Sequence, residues 1–400
     1  MLIKRRDFLQ IGSMATASMM LPKFVKALYK NKSLAQLNNK SVVVIQLSGG
    51  NDGLNTVIPF QNDIYHRSRP VIGFKQQKVN ILNDEAALHP ALTGFKNLYD
   101  EGSLAILNNV GYPDPDRSHF RSMDIWQSAS SSKEIWQTGW LGRYLDETCE
   151  NCKMPVQALE VDDVLSLALK GNNYKGIAVK NPQQLYNNSK EKYYNNLLAS
   201  HEAEHAHNTA DYLYKTMAET LSSADYIYKE SKTGISKGVY PKTQLGNNLK
   251  TIASLIMSEI NTKVYYVSIG SFDTHVNQQE RQNELFTQLN NAVSAFVKDL
   301  QANNKFNDVL LFTFSEFGRR VAQNAANGTD HGTANNMFLI SGALKQKGLI
   351  NAMPDLNKLD NGDLIYQVDF KQVYATILKK WLNADDAAIL QHKYDYLNFI

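Results

Sequence analysis

The sequence predicts an α/β fold built on a mainly parallel sheet, and two observations carry that expectation. Short runs of β-branched and aliphatic residues end abruptly at glycine or polar residues, as strands buried on both faces do. Between these runs lie longer stretches with apolar residues at helical spacing. With 400 residues, 43% of them hydrophobic and 20% charged, the chain can bury a large core, which excludes a disordered protein.

The elements follow in order. "SVVVIQL" at 41–47 is a continuous apolar run that stops just before Gly49-Gly50 and reads as the first buried strand. Further strands are expected at "LAILNNV" (104–110), "KVYYVSI" (263–269), "DVLLFTF" (308–314) and "NMFLISG" (336–342). Helical patterns occupy 91–101, 119–130, 241–260, 278–302 and 370–383. The segment 180–235 is polar and rich in Lys, Asn, Glu and Tyr at helical spacing, so it reads as a helical insertion on the sheet. No repeat or long linker divides the chain, which argues for one elaborated domain over 28–400.

Residues 1–27 contain "IKRRDFLQIGSMATASMMLPKFVKA", where Arg5-Arg6 precedes a weakly apolar stretch from Ile11 to Leu21. The stretch has about half of the ~20 residues a membrane span requires, and the whole resembles a twin-arginine export signal. The resemblance implies the twin-arginine translocase as a partner and a periplasmic or envelope location. Net charge is +3 with Lys and Arg scattered beyond this segment, so no basic stripe points to nucleic acid. The two cysteines, Cys149 and Cys152, are too few for a disulfide scaffold and supply half of a four-thiolate zinc site. A local disulfide or free thiols fit them better than a redox pair.

In open parallel sheets, sites form beyond the carboxyl ends of the strands. "GGNDGLN", "GSFDTH" and "SEFGRR" each follow a strand and each carry a carboxylate, while "GYPDPDRSHFRSMDIW" brings Ser118 and His119 to a helix start. Singly, Asp52 reads as a turn residue, Ser118 as an N-cap, Asp273 as a helix cap, Glu316 as a strand-end charge and Asp330 as a turn. Together they supply the carboxylates and imidazoles that suit Zn, Mn, Mg or Ca. A hydroxyl at a helix N-terminus complements them, since the dipole favours an anion there and a metal would activate the hydroxyl for attack.

Jointly, "VVVIQLSGGNDGLNTVIP", "LHPAL", "RSHFRSMDIW", "TGWLGRYLD", "SFDTH", "FSEFGRR", "GTDHG" and "VDFKQVYATIL" resemble domain-of-unknown-function family 1501, exported proteins of the alkaline phosphatase and sulfatase superfamily. The resemblance runs from about Val42 to Leu382. It implies an α/β/α sandwich, one or two divalent metal ions, a nucleophile at a helix start, and hydrolysis or transfer of phosphate and sulfate esters. Carried over residue by residue, Asp52 matches the acidic ligand after the first strand and Ser118 the nucleophile, with His119 beside it as a second catalytic candidate. Asp273 and His275 match the central ligand pair, and Glu316-Phe317 stands where the superfamily has Asp-His. Asp330-His331 is then the later loop that supplies a final ligand, His331 being the stronger of the two. Phe317 cannot coordinate, so a single-metal site, or one that draws on His89 or His119, fits as well as a two-metal site. Asn51, Arg117 and Arg121 are candidates to hold an anionic oxygen of a small or polymeric ester.

One rival motif is His201-Glu202 followed by His205 in "SHEAEHAH", the spacing of a zinc peptidase helix. Its Lys- and Asn-rich neighbourhood reads instead as a solvated helical face. The leading expectation is an exported metal-dependent hydrolase of phosphate or sulfate esters. Its alternatives are a non-catalytic envelope binding protein on the same fold and a peptidase built on His201 and His205.

Overall fold

The computed structural model describes residues 40–149, 156–192, 209–234 and 236–400. The apolar runs become the strands of one nine-stranded sheet. In chain order these are β1 (Ser41–Leu47), β2 (Leu104–Gly111), β3 (Ala158–Glu160), β4 (Ile177–Ala178), β5 (Val264–Ile269), β6 (Val309–Phe314), β7 (Asn335–Ile340), β8 (Gly348–Leu349) and β9 (Val368–Asp369). Across the sheet they stand as β8, β2, β7, β6, β1, β5, β3, β4, with β9 also beside β2. β1 lies parallel to both neighbours, with Val43 opposite Tyr265 of β5 and Leu311 of β6. Only β7 is reversed, running antiparallel to β2 and to β6.

Among the described residues the helices are α1 (Asp63–Ser68), α2 (Thr93–Asp100), α3 (His119–Ser128), α4 (Trp140–Thr148), α5 (Pro182–Ser189), α6 (Thr209–Thr233), α7 (Gln244–Met257), α8 (Gln278–Ala302), α9 (Phe370–Thr376) and α10 (Asp386–Leu390). Every residue of β1 is buried, because helices cover both faces. On one face Val42, Val44, Phe312 and Leu339 pack against Trp126 of α3, Trp140 of α4, Tyr374 of α9 and Ile389 of α10. Trp126 stacks on Phe370 at 4.2 Å and Trp140 on Tyr374 at 4.1 Å. Such pairs add about 0.5–1.5 kcal/mol each beyond the area they bury. On the other face Phe95 of α2 meets Phe338 at 5.0 Å, α7 lies against β5, and α8 packs on α2 and α7. The result is an α/β/α sandwich.

Chain contacts separate two units, and the sheet with its helices forms one of them. The described part of the other comprises α5 and α6 as far as Lys229. There Tyr186 stacks on Tyr228 at 4.4 Å and Lys190 lies 3.8 Å from Asp225. Both helices fall in the segment read as helical from its polar periodicity.

Each of the five expected strands begins and ends within two residues of its expected limits. The helix expected over 370–383 is α-helical only to Thr376 and continues as a π-helical turn, Ile377–Trp381. β3 and β4 have three and two residues, too short for a periodicity to mark them. Cys149 is disulfide-bonded. Cys152, residues 1–27, His201 and His205 lie outside the described residues. Among the described residues, no helix is long and apolar enough to cross a membrane.

Candidate metal centre

Strand direction gathers the site. β1, β2, β5 and β6 are mutually parallel and end at one edge of the sheet, so the loops that carry Gly49-Gly50, Ser118-His119, Asp273-His275 and Glu316-Arg319 leave from the same side. β7 runs the other way, and the loop before it, with Asp330-His331, therefore arrives at that side. Gly49 and Gly50 make the close approach of these loops feasible, with φ of +118° and +73°. A Cβ on Gly49 would sit 2.5 Å from the Asp273 nitrogen, and one on Gly50 2.2 Å from the Phe317 ring.

Asp273 Oδ1 is the point of convergence. His275 Nε2 lies 3.0 Å from it, His331 Nε2 3.3 Å and His119 Nε2 3.5 Å. His119, Asp273 and His331 offer ligand atoms all within 4.8 Å of one another. Each imidazole is anchored through its other nitrogen. His331 Nδ1 meets the Arg117 carbonyl at 2.8 Å, and a carbonyl can only accept. His119 Nδ1 meets Glu316 Oε1 at 2.9 Å, an oxygen that already accepts from Gly49 N. His275 Nδ1 meets Asp330 Oδ1 at 3.2 Å, which also accepts from Asn324 Nδ2. All three Nδ1 atoms are thus assigned as donors, so that a ring in its neutral form turns its Nε2 lone pair toward Asp273.

In that form the Nε2 atoms and the carboxylate oxygen suit a cation placed among them. The only facing donor among these contacts is Arg319, whose Nη2 meets Asp273 Oδ1 at 2.7 Å and whose Nη1 lies 3.4 Å from His275 Nε2. His119 Nε2 is buried without a hydrogen-bond partner. Tetrahedral coordination at about 2.1 Å would set ligand atoms about 3.4 Å apart, close to the distances from Asp273 Oδ1 to the three nitrogens, and His119, Asp273 and His331 form the mutually close set. An imidazole that donates its far N–H to a carboxylate or carbonyl is also the usual form of a metal ligand. The residues therefore fit a divalent ion.

The local electrostatics agree. Burial disfavours charge on Asp273, but the hydrogen bond and charge of Arg319 outweigh it and hold this carboxyl below its ordinary range. The Glu316 hydrogen bond raises His119 above the ordinary imidazole value, whereas burial lowers His331. Asn324, with help from His275, keeps Asp330 low.

Other candidates from the sequence do not join the cluster. Asp52 is fully buried in an ion pair with Arg69, Oδ2 to Nη1 at 2.6 Å, and its Oδ1 caps Leu54 N at 3.2 Å. Its carboxylate is committed there, with Gln278 as a further donor, and it is absent from the mutually close set of ligand residues. His89 sits between Phe74 and Phe286, each at 4.9 Å, and burial pushes its pKa down to about 3. Asn51 is buried in its turn, donating from N to Ser315 Oγ at 2.9 Å and from Nδ2 to Thr56 Oγ1 at 2.8 Å. Arg121 Nη2 donates to the carbonyls of Ser131 and Ser132 at 3.0 and 3.1 Å and so ties down the loop after α3. Glu316 and Asp330 touch imidazoles, as orienting partners of His119 and His275.

Ser118 is the exposed N-cap of α3, and its hydroxyl is not spent on capping. Arg117 ion-pairs with the buried Asp363, and Arg320 lies 3.8 Å from the same carboxylate. Arg319, Arg320, Arg69 and Asp363 are site or near-site residues that sequence reasoning missed. A pair of adjacent arginines in "SEFGRR" was the one available signal.

Fold and site define an α/β/α protein with an imidazole and carboxylate cluster at the carboxyl edge of its sheet. Over residues 39–393 the chain matches the family described as Protein of unknown function (DUF1501), and it belongs to that family. No curated protein matches it. Among solved structures it is similar to the PsFucS1 sulfatase from Pseudoalteromonas sp., with 10% identity, 95% of this chain and 74% of that one covered, and a TM-score of 0.40. It is also similar to the lipoteichoic acid synthase LtaP from Listeria monocytogenes, with 8% identity, coverage of 78% and 68%, and a TM-score of 0.34. The C-terminal periplasmic domain of EcEptC from Escherichia coli, in complex with Zn, is similar at 9% identity, coverage of 76% and 74%, and a TM-score of 0.34.

Proposed function

We propose that the chain is an exported, divalent-metal-dependent hydrolase of phosphate or sulfate esters. The observation that carries this reading is the convergence of three back-anchored imidazoles on Asp273 Oδ1. His119, His275, His331 and Asp273 would hold the ion, while Glu316, Asp330 and the Arg117 carbonyl fix the rings. Three nitrogens and one oxygen suit zinc or a similar borderline cation better than calcium or magnesium. When bound, the ion supplies a Lewis acid for charge that develops on the transferring group.

The protein's own groups do the rest. Ser118 is pinned between two anchored neighbours, since the Arg117 carbonyl orients His331 and His119 belongs to the cluster. That fixes an exposed hydroxyl at the rim, where it serves as the nucleophile. Arg117 and Arg320 share one carboxylate, Asp363, and leave one positive charge over for an anionic ester, small or polymeric.

Elemental analysis of the purified protein, with turnover on nitrophenyl phosphates and sulfates for wild type and Ser118→Ala, tests the reading. Bound metal, turnover in wild type and loss of turnover in the variant are expected. A second reading, an envelope binding protein without catalysis, draws on Phe317, a buried ring where the superfamily pattern has a histidine. Metal without turnover on the whole panel would favour it.

A further inference from the structure

We infer that Arg319 is a built-in positive charge that restricts the cluster to a single divalent ion, an inference that rests on the metal-site reading above. The Arg319 side chain is completely buried, and every arm of the guanidinium is used. Nε donates to the Gly50 carbonyl at 2.5 Å, Nη1 to Thr329 at 2.9 Å, and Nη2 to Gly49 at 2.5 Å and Phe272 at 3.2 Å. Its carboxylate partner is Asp273, the oxygen on which the imidazoles converge. Four loop carbonyls would lose a donor if the guanidinium swung away, so the charge is fixed in place. Arginine does not lose its proton in proteins, which makes that charge permanent as well.

Charge balance then decides the number of ions. Asp273, Glu316 and Asp330 bring three negative charges to the cluster, and Arg319 cancels one. One divalent ion neutralises the remainder. A second would leave two uncompensated positive charges in a partly buried site, beside Arg117 and Arg320, which already outnumber Asp363.

Packing closes the same door. The buried Phe317 ring lies 4.9 Å from His119 and 4.7 Å from His331, centroid to centroid, so a non-coordinating face borders both imidazoles. Asp52, the carboxylate that the first strand delivers to this edge, is taken by Arg69. Arg319 therefore stands where a second ion would otherwise balance Asp273, and the site is mononuclear by construction.

The test is the metal stoichiometry of the full chain, loaded in turn with zinc chloride and manganese chloride, dialysed, and measured by elemental analysis and titration calorimetry. One equivalent per chain is expected for both, with an isolated-ion manganese resonance. Two equivalents of comparable affinity, or a spin-coupled manganese pair, would overturn the inference and leave the metal-site reading standing. Failure to bind either ion would overturn both. Arg319→Lys, which keeps the charge, should stay at one equivalent. Arg319→Gln, if it folds, should accept a second, and a folded Arg319→Gln protein that stops at one also overturns the inference. If it does not fold, the wild-type stoichiometry decides.

Discussion

His275 Nε2 lies 3.0 Å from His331 Nε2, although the Nδ1 partner of each ring leaves neither facing nitrogen a proton to give in the neutral state. Two lone pairs at that distance repel unless a cation stands with them. His275→Ala or His331→Ala should therefore lower zinc affinity by more than the ~10- to 100-fold typical of outer partners. Titration calorimetry reads this directly, and an unchanged affinity in both variants would dismiss the pair as ligands.

Asp330 offers the milder counterpart. It is largely exposed and touches the cluster through His275 Nδ1, so Asp330→Ala should leave the metal-free fold intact. The loss of ring orientation should weaken zinc binding about 10- to 100-fold. Thermal unfolding of the metal-free form separates the two effects, because a large drop there would assign Asp330 to the fold instead.

Asp52 should behave in the opposite way. Its replacement by alanine strands the fully buried Arg69 guanidinium and should cost about 3–5 kcal/mol of stability. Zinc stoichiometry in whatever fraction folds should be unchanged. Urea unfolding with metal content from the same preparation checks this, and normal stability with lost metal would restore Asp52 as a ligand.

Glu160 supplies a pH dependence away from the cluster. Burial raises its pKa from 4.5 to about 7, against the hydrogen bonds from Ser166. The native state then holds this proton more tightly than the unfolded chain. The contribution is fully present below pH 4.5 and is lost as pH rises through 7, a span worth about 3 kcal/mol. Glu160→Gln should flatten that slope and raise stability at pH 8 relative to wild type. Denaturant midpoints at pH 5 and pH 8 test it, and an identical slope in the variant would refute the assignment.

The strands were legible because a strand covered on both faces must be apolar throughout, as "SVVVIQL" is. The gathering of Asp273, His275 and His331 in space was legible because each lies in a loop next to a strand at the edge where loops converge. Asp52 carried the same signal and misled, since its partner Arg69 follows α1 and nothing in the local sequence pairs the two. Arg319 is hidden in the sequence for a related reason. An arginine after a strand looks like a solvated charge, and only the folded loops supply the carbonyls that make burial tolerable. The split between proposed ligands and orienting partners also lies beyond sequence, because the carboxylates of Glu316 and Asp273 differ in which imidazole atoms they meet and not in chemical class.

The bond from His331 Nδ1 to the Arg117 carbonyl joins positions 214 apart. An unfolded chain holds no such geometry, so under the proposed metal reading ion capture would be thermodynamically linked to folding. Free zinc at a hundred times its dissociation constant would add about 2.7 kcal/mol to the native state. Chelators would then lower the stability of this protein without unfolding it outright, and its melting temperature would serve as a gauge of the zinc around it.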